Sequence, residues 1–139
     1  MENYHILLVD NEKRLLECLE MMLSIEGHTV MTAENGEDAC RLLQKIYADG
    51  STIDLLITDI WMPQMSGLYL VDKLNRCNIR PAMLGISGYV DNDTIADLAA
   101  KGCTNLIIKP FTPEVLLQKI AEIMKKNAAI IPEGKNCRY

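Results

Sequence analysis

The stretch Leu55-Leu56-Ile57-Thr58-Asp59-Ile60-Trp61-Met62-Pro63, "LLITDIWMP", carries an apolar run straight into a carboxylate. A run of four to six β-branched and aliphatic residues bounded by turn formers reads as a strand buried on both faces. Burying an unpaired Asp at its end would cost several kcal/mol, so Asp59 requires a partner or a task. The rest of the chain supplies both.

Working outward, apolar runs alternate with amphipathic stretches. "HILLV" (5–9), "HTVMTA" (28–33), 53–58, "AMLGI" (82–86) and "NLII" (105–108) read as strands. Between and after them, residues 12–26, 37–47, 66–77, 91–100 and 112–126 place their apolar residues at helical spacing. Gly27 and Gly102 stand where helices stop, Asp91 and Thr112 where they are capped, and Pro113 at a first helical position. Five strands, each followed by a helix, predict a (βα)5 α/β domain: a parallel, doubly wound sheet with helices on both faces. The domain is expected over residues 1–127, with 128–139 as a tail or linker stub.

Bulk properties narrow the function classes. The 139 residues suit one domain with a sizeable core. A net charge of −5 and a pI near 5.0 argue against a broad nucleic-acid surface, and no Lys/Arg-rich run is present. No apolar stretch approaches the roughly 20 residues a membrane helix needs. The start "MENYHILLVD" lacks the pattern of a secretory signal, and five scattered cysteines without a CxxC pair fit a reducing, cytoplasmic setting. His5 and His28 lie on or beside strands and read as structural.

In an open parallel sheet, ligands bind beyond the carboxyl ends of the strands. Four of the five predicted strands end there in polar groups: Asp10-Asn11, Thr58-Asp59, Ser87-Gly88 and Lys109-Pro110. Hydrophobic patterning alone does not demand that convergence. Two adjacent carboxylates repel unless a cation lies between them. Mg2+ suits such a site, because it takes a few carboxylates, keeps waters and helps to neutralise phosphate oxygens. A lysine and a hydroxyl would serve the same phosphoryl group, and a carboxylate can itself attack phosphorus.

With "LLVDN" (7–11), "LLITDIWMPQMSGL" (55–68), "GISGY" (85–89) and "IIKPF" (107–111) in this order, the chain resembles the receiver domains of bacterial two-component response regulators. The resemblance covers about residues 4–126. It implies a flavodoxin-like sheet of strand order 2-1-3-4-5. It also implies Asp59 as phosphoacceptor, taking the group from a sensor histidine kinase or phosphotransfer protein. Asp10, Asp59 and the backbone carbonyl of Trp61 would hold Mg2+, with Asn11 a weak or indirect contributor. Ser87 and Lys109 would contact the phosphoryl oxygens, and Pro110 would follow a cis peptide bond. The output is a protein contact on the face of helix 4, strand 5 and helix 5, with a partner or a second copy of the domain. Such a domain is a switch rather than a turnover enzyme.

Three positions depart from the commonest pattern. Asn11 replaces a carboxylate, which predicts weaker Mg2+ affinity. Leu106 stands where the family usually carries a switch aromatic, so ring rotation is not expected to signal activation. Trp61 and Tyr89, two residues beyond Asp59 and Ser87, are bulky and predict slow loss of the phosphoryl group. Alternative classes are a receiver acting without phosphorylation, a Mg2+-dependent aspartyl phosphohydrolase and a flavin module. Trp61 stands where the hydrolase would want a second acid, and "DNEKR" (10–14) puts acid where a flavin phosphate would want amides.

Overall fold

A computed structural model describes residues 3–61, 67–89 and 91–130. Five strands and five helices alternate along it: β1 (His5–Val9), α1 (Lys13–Ile25), β2 (Thr29–Ala33), α2 (Gly36–Ala48), β3 (Leu55–Asp59), α3 (Gly67–Arg76), β4 (Ala82–Ser87), α4 (Asn92–Ala100), β5 (Leu106–Ile108) and α5 (Pro113–Ile130). The strands form one parallel sheet in the order β2-β1-β3-β4-β5. This is the doubly wound, flavodoxin-like arrangement expected.

Side chains alternate across a strand, so each apolar run feeds two cores. Ile6, Leu8, Leu55, Ile57, Leu84 and Ile86 face α1 and α5, where Leu16, Leu19, Leu23, Leu116 and Ile120 close the layer. Leu7, Val9, Leu56 and Met83 face the other way, onto Ala39 and Leu43 of α2, Leu70, Val71 and Leu74 of α3, and Leu98 of α4. Full burial of a Leu or Ile is worth about 1.5–3 kcal/mol, so the two layers hold the strand ends in fixed register.

The caps follow the local chemistry read above. Asn35 and Asp91 accept the backbone N–H of Asp38 and Thr94, three residues on. This hydrogen bond holds the exposed Asp91 carboxyl below its ordinary value. Gly102 takes φ +97° and donates to the Ala99 carbonyl, a left-handed position that suits glycine.

Boundaries moved at several places. The third strand starts at Leu55 rather than 53 and takes in Asp59 itself. Ile53 is buried but precedes the ladder, where its N–H donates to the Tyr47 hydroxyl. The last helix continues past 126 to Ile130. Ser66, the expected start of α3, and residues 131–139 of the tail lie outside the described residues.

Gly85, in mid-β4, lies across the ladder from Thr58 and Leu106. A Cβ there would come within 2.7 Å of both Ile60 Cδ1 and Leu106 Cδ2. Leu106 therefore fills space that a larger neighbour on β4 would need. We expect Gly85→Ala to cost about 1–3 kcal/mol in urea unfolding. Adding Ile60→Val and Leu106→Val, which remove the two δ-carbons, should recover part of it. Equal stability of Gly85→Ala and the parent would contradict this packing.

Candidate functional site

The carboxyl edge of the sheet is built by extending its ladders. Asp10, one residue past β1, donates its N–H to the Ala33 carbonyl of β2. Asp59 ends β3 opposite Ile86, whose carbonyl accepts the Ile60 N–H at 2.9 Å. Lys109, one residue past β5, donates its N–H to the Ser87 carbonyl at 2.8 Å. The Lys109–Pro110 peptide is cis.

These anchors bring one ammonium between two carboxylates. Lys109 Nζ lies 3.0 Å from Asp59 Oδ2 and 3.3 Å from Asp10 Oδ2. The other oxygen of each acid accepts a backbone N–H two residues on: Glu12 to Asp10 Oδ1 at 2.8 Å, and Trp61 to Asp59 Oδ1 at 3.0 Å. Asp10 and Asp59 are only 3% and 6% exposed. Asp59 ends a buried strand because a lysine from another strand end and a local N–H share its charge.

The electrostatics are uneven. Loss of hydration raises the Asp10 pKa above its ordinary value; the Glu12 N–H and Lys109 oppose this, while the Asp59 charge adds to it. On Lys109 burial works against the ammonium. The hydrogen bond to Asp59 and the charges of Asp10, Asp59 and Glu12 outweigh it and hold the pKa up. The directions are compatible, because dehydration dominates at Asp10 and its acidic neighbours dominate at Lys109.

Ser87 is fully buried beside this cluster, but its hydroxyl turns into its own loop. Oγ donates to the Tyr89 carbonyl and accepts the Tyr89 N–H at 3.1 Å. Asn11 is exposed and takes no part in the described contacts of the cluster. Trp61 enters through its N–H on Asp59 and also spans the edge, its indole Nε1 donating to the Tyr89 carbonyl at 3.0 Å. Glu12, read in the sequence only as a helix start within the acidic "DNEKR", has its carboxylate 3.5 Å from Lys109 Nζ. The spacing D-x-E directly after a strand was the available signal. His28 serves structure: Nδ1 accepts the Tyr4 N–H, and the two rings stack at 5.4 Å.

As oxygen donors for Mg2+ the pair fits: two hard carboxylates converge on one cation position, and such an ion uses one or two carboxylates with waters. Among the described residues no group of three or more His, Cys, Asp or Glu side chains forms a complete metal cage.

A doubly wound parallel sheet carries two acids and a lysine at its carboxyl edge, where open α/β sheets bind their ligands. The chain matches the response regulator receiver domain family over residues 6–121 and belongs to it. It is 31% identical over 125 residues to a probable transcriptional regulator, ycf27, of Cyanidium caldarium, covering 88% of this chain and 47% of that one. It is 30% identical over 123 residues to the response regulator SaeR of Staphylococcus epidermidis, covering 88% and 51%. The chain thus spans about half the length of these relatives. A CheY-like receiver domain structure from Methanospirillum hungatei superposes with a TM-score of 0.80 at 26% identity, covering 92% of this chain and 98% of that one. No helix among the described residues is long and apolar enough to cross a membrane.

Stability should report the cost of ionised Asp10. A carboxyl whose pKa rises on folding holds its proton more tightly in the native state. Stability therefore falls as pH climbs from about 3.8 through the raised value, and the charge is a net cost at neutral pH. Asn at this position keeps an oxygen for the Glu12 N–H. We expect Asp10→Asn, in EDTA at pH 7, to melt roughly 3 °C higher, about 1 kcal/mol for a domain of this size. The gap should close toward pH 4. A lower melting point at pH 7 would show that the Lys109 ion pair outweighs burial.

Proposed function

We propose that this receiver domain is a phosphorylation switch in which Asp59 is the phosphoacceptor. The carrying observation is Lys109 Nζ at 3.0 and 3.3 Å from two buried carboxylates that arrive from separate strand ends. A carboxylate oxygen of Asp59 forms a bond to phosphorus as the bond from phosphorus to the donor breaks. With a phosphohistidine of a sensor kinase or phosphotransfer protein, the imidazole nitrogen keeps the electron pair. With acetyl phosphate, acetate leaves. No proton transfer is required at Asp59. Lys109, already bonded to Oδ2, is placed to pass to a phosphoryl oxygen as that oxygen comes to lie beside it.

Asp10, Asp59 and the Trp61 carbonyl would hold Mg2+, with Asn11 contributing weakly or through water. When bound, the ion neutralises charge on the transferring phosphoryl group. Hydrolysis of the aspartyl phosphate by water would restore the carboxylate and release inorganic phosphate. The Trp61 indole, held on the Tyr89 carbonyl at 3.0 Å, and the bulky Tyr89 side chain would slow that water.

Ser87 is the hydroxyl that would follow the phosphoryl group, biasing an equilibrium between two loop arrangements. The outlet is the face of α4, β5 and α5, which leaves Ile95, Ile108 and Val115 exposed together with Tyr89 at its edge. Exposed apolar side chains on three adjacent elements suit a protein partner or a second copy of the domain. A cytoplasmic setting follows from the kinase donor.

Two experiments test this reading. Intact mass after acetyl phosphate with Mg2+ should show one added phosphoryl group, absent in Asp59→Ala and reduced at least tenfold by EDTA. An unmodified parent chain would instead favour a receiver that works by contact alone. Titration of Mg2+ against fluorescence of the sole tryptophan should give roughly tenfold tighter binding in Asn11→Asp. Equal constants would remove Asn11 from the metal site.

A further inference from the structure

The Tyr89 carbonyl accepts two donors at once. One is the Ser87 hydroxyl, the other the Trp61 indole N–H at 3.0 Å. Trp61 is therefore tied at both ends. Its backbone N–H holds Asp59 Oδ1 at 3.0 Å, and its side chain crosses to the loop that follows β4. The chain of contacts runs from the Asp59 carboxylate through one residue to the acceptor that occupies the Ser87 hydroxyl.

We propose that Trp61 is a positioning residue, a latch whose indole N–H holds the Tyr89 carbonyl where it captures the Ser87 hydroxyl and so keeps the loop in its resting arrangement. The inference rests on the phosphoacceptor reading of Asp59 and adds to it a role for the indole nitrogen distinct from the bulk of the ring.

A buried hydroxyl cannot be left without a partner. Ser87 is fully buried, so its proton leaves the Tyr89 carbonyl only when another acceptor is offered. An oxygen of a phosphoryl group on Asp59 is such an acceptor. The exchange also requires the loop to shift. Tyr89 is 66% exposed, so few packing contacts resist that shift, and the hydrogen bond from Trp61 is the described tether between this carbonyl and the β3 edge. Trp61 is itself 47% exposed, which sets the scale: a neutral hydrogen bond there is worth about 1 kcal/mol, or about fivefold in an equilibrium. Linkage is reciprocal, so whatever the latch adds to the resting arrangement it subtracts from the phosphorylated one.

The variant that isolates the donor is Trp61→Phe, which keeps an aromatic ring and the backbone N–H but removes the indole N–H. Trp61→Leu removes ring and donor together. The first readout needs no phosphorylation. Hydrogen exchange at the Tyr89 amide, which donates to Ser87 Oγ, should be about fivefold faster in Trp61→Phe than in the parent. The second is the rate of phosphorylation by acetyl phosphate with Mg2+, followed by intact mass. In that step an Asp59 oxygen bonds to phosphorus and acetate departs with the electrons of the broken P–O bond. This rate should rise about fivefold in Trp61→Phe, by more than the rate at which the phosphoryl group is lost. Trp61→Leu should accelerate both.

Unchanged Tyr89 exchange in Trp61→Phe would overturn the latch whatever the chemistry at Asp59. Faster exchange in a chain that acetyl phosphate fails to modify would keep the latch and overturn the phosphoacceptor reading. Equal phosphorylation rates in the two chains would show that the tether does not govern the switch.

Discussion

One ammonium group between two buried carboxylates is the constraint from which the rest follows. Asp10 and Asp59 stand at the ends of adjacent strands, almost out of water, and could not both carry charge there without Lys109. Lys109 reaches them because β5 stops after three residues and its next N–H is held by the Ser87 carbonyl. The two apolar layers fix the strands, and the strands fix the charges. The site therefore resides in the topology of the sheet, with the loops adding the Trp61 and Tyr89 contacts at its rim.

The charges at this edge are balanced against dehydration rather than against each other alone. At Asp10 dehydration outweighs the neighbouring N–H and ammonium, and the amide at Asn11 spares the edge a further carboxylate. Glu12 returns negative charge from a solvated position at 3.5 Å from Lys109, where it adds to the pull on the ammonium at little desolvation cost. Acid lost next to the buried site is thus partly replaced beside it.

Much of this was legible in the sequence because the signals were local. "HILLV" and the run 53–58 read as strands because they are short, apolar and bounded by turn formers, and Pro113, Asp91 and Gly102 mark helix ends by their own backbone chemistry. The convergence of Asp10, Asp59 and Lys109 followed from topology once the five strand ends were recognised. What escaped was relational. The start of β3 depended on which residues found ladder partners, and Ile53 is as apolar as Leu55 yet pairs with a tyrosine hydroxyl instead. The Ser87 hydroxyl could be placed on the right edge but not aimed, because its acceptor is a carbonyl two residues along a loop of no periodicity. The Trp61–Tyr89 contact joins residues 28 positions apart, and side-chain bulk alone gave no hint of a donor.

The brevity of β5 has a further consequence. It forms one rim of the sheet, and a rim of free N–H and C=O groups invites another strand to add on. Here the rim is three residues long and runs directly into Lys109 and Pro110, the second of which has no N–H to give. Strand addition finds too few backbone partners to gain a foothold. Encounters along this border are left to side chains such as Ile108, which keeps them reversible and open to tuning by small changes in shape, and guards this border against strand-by-strand growth.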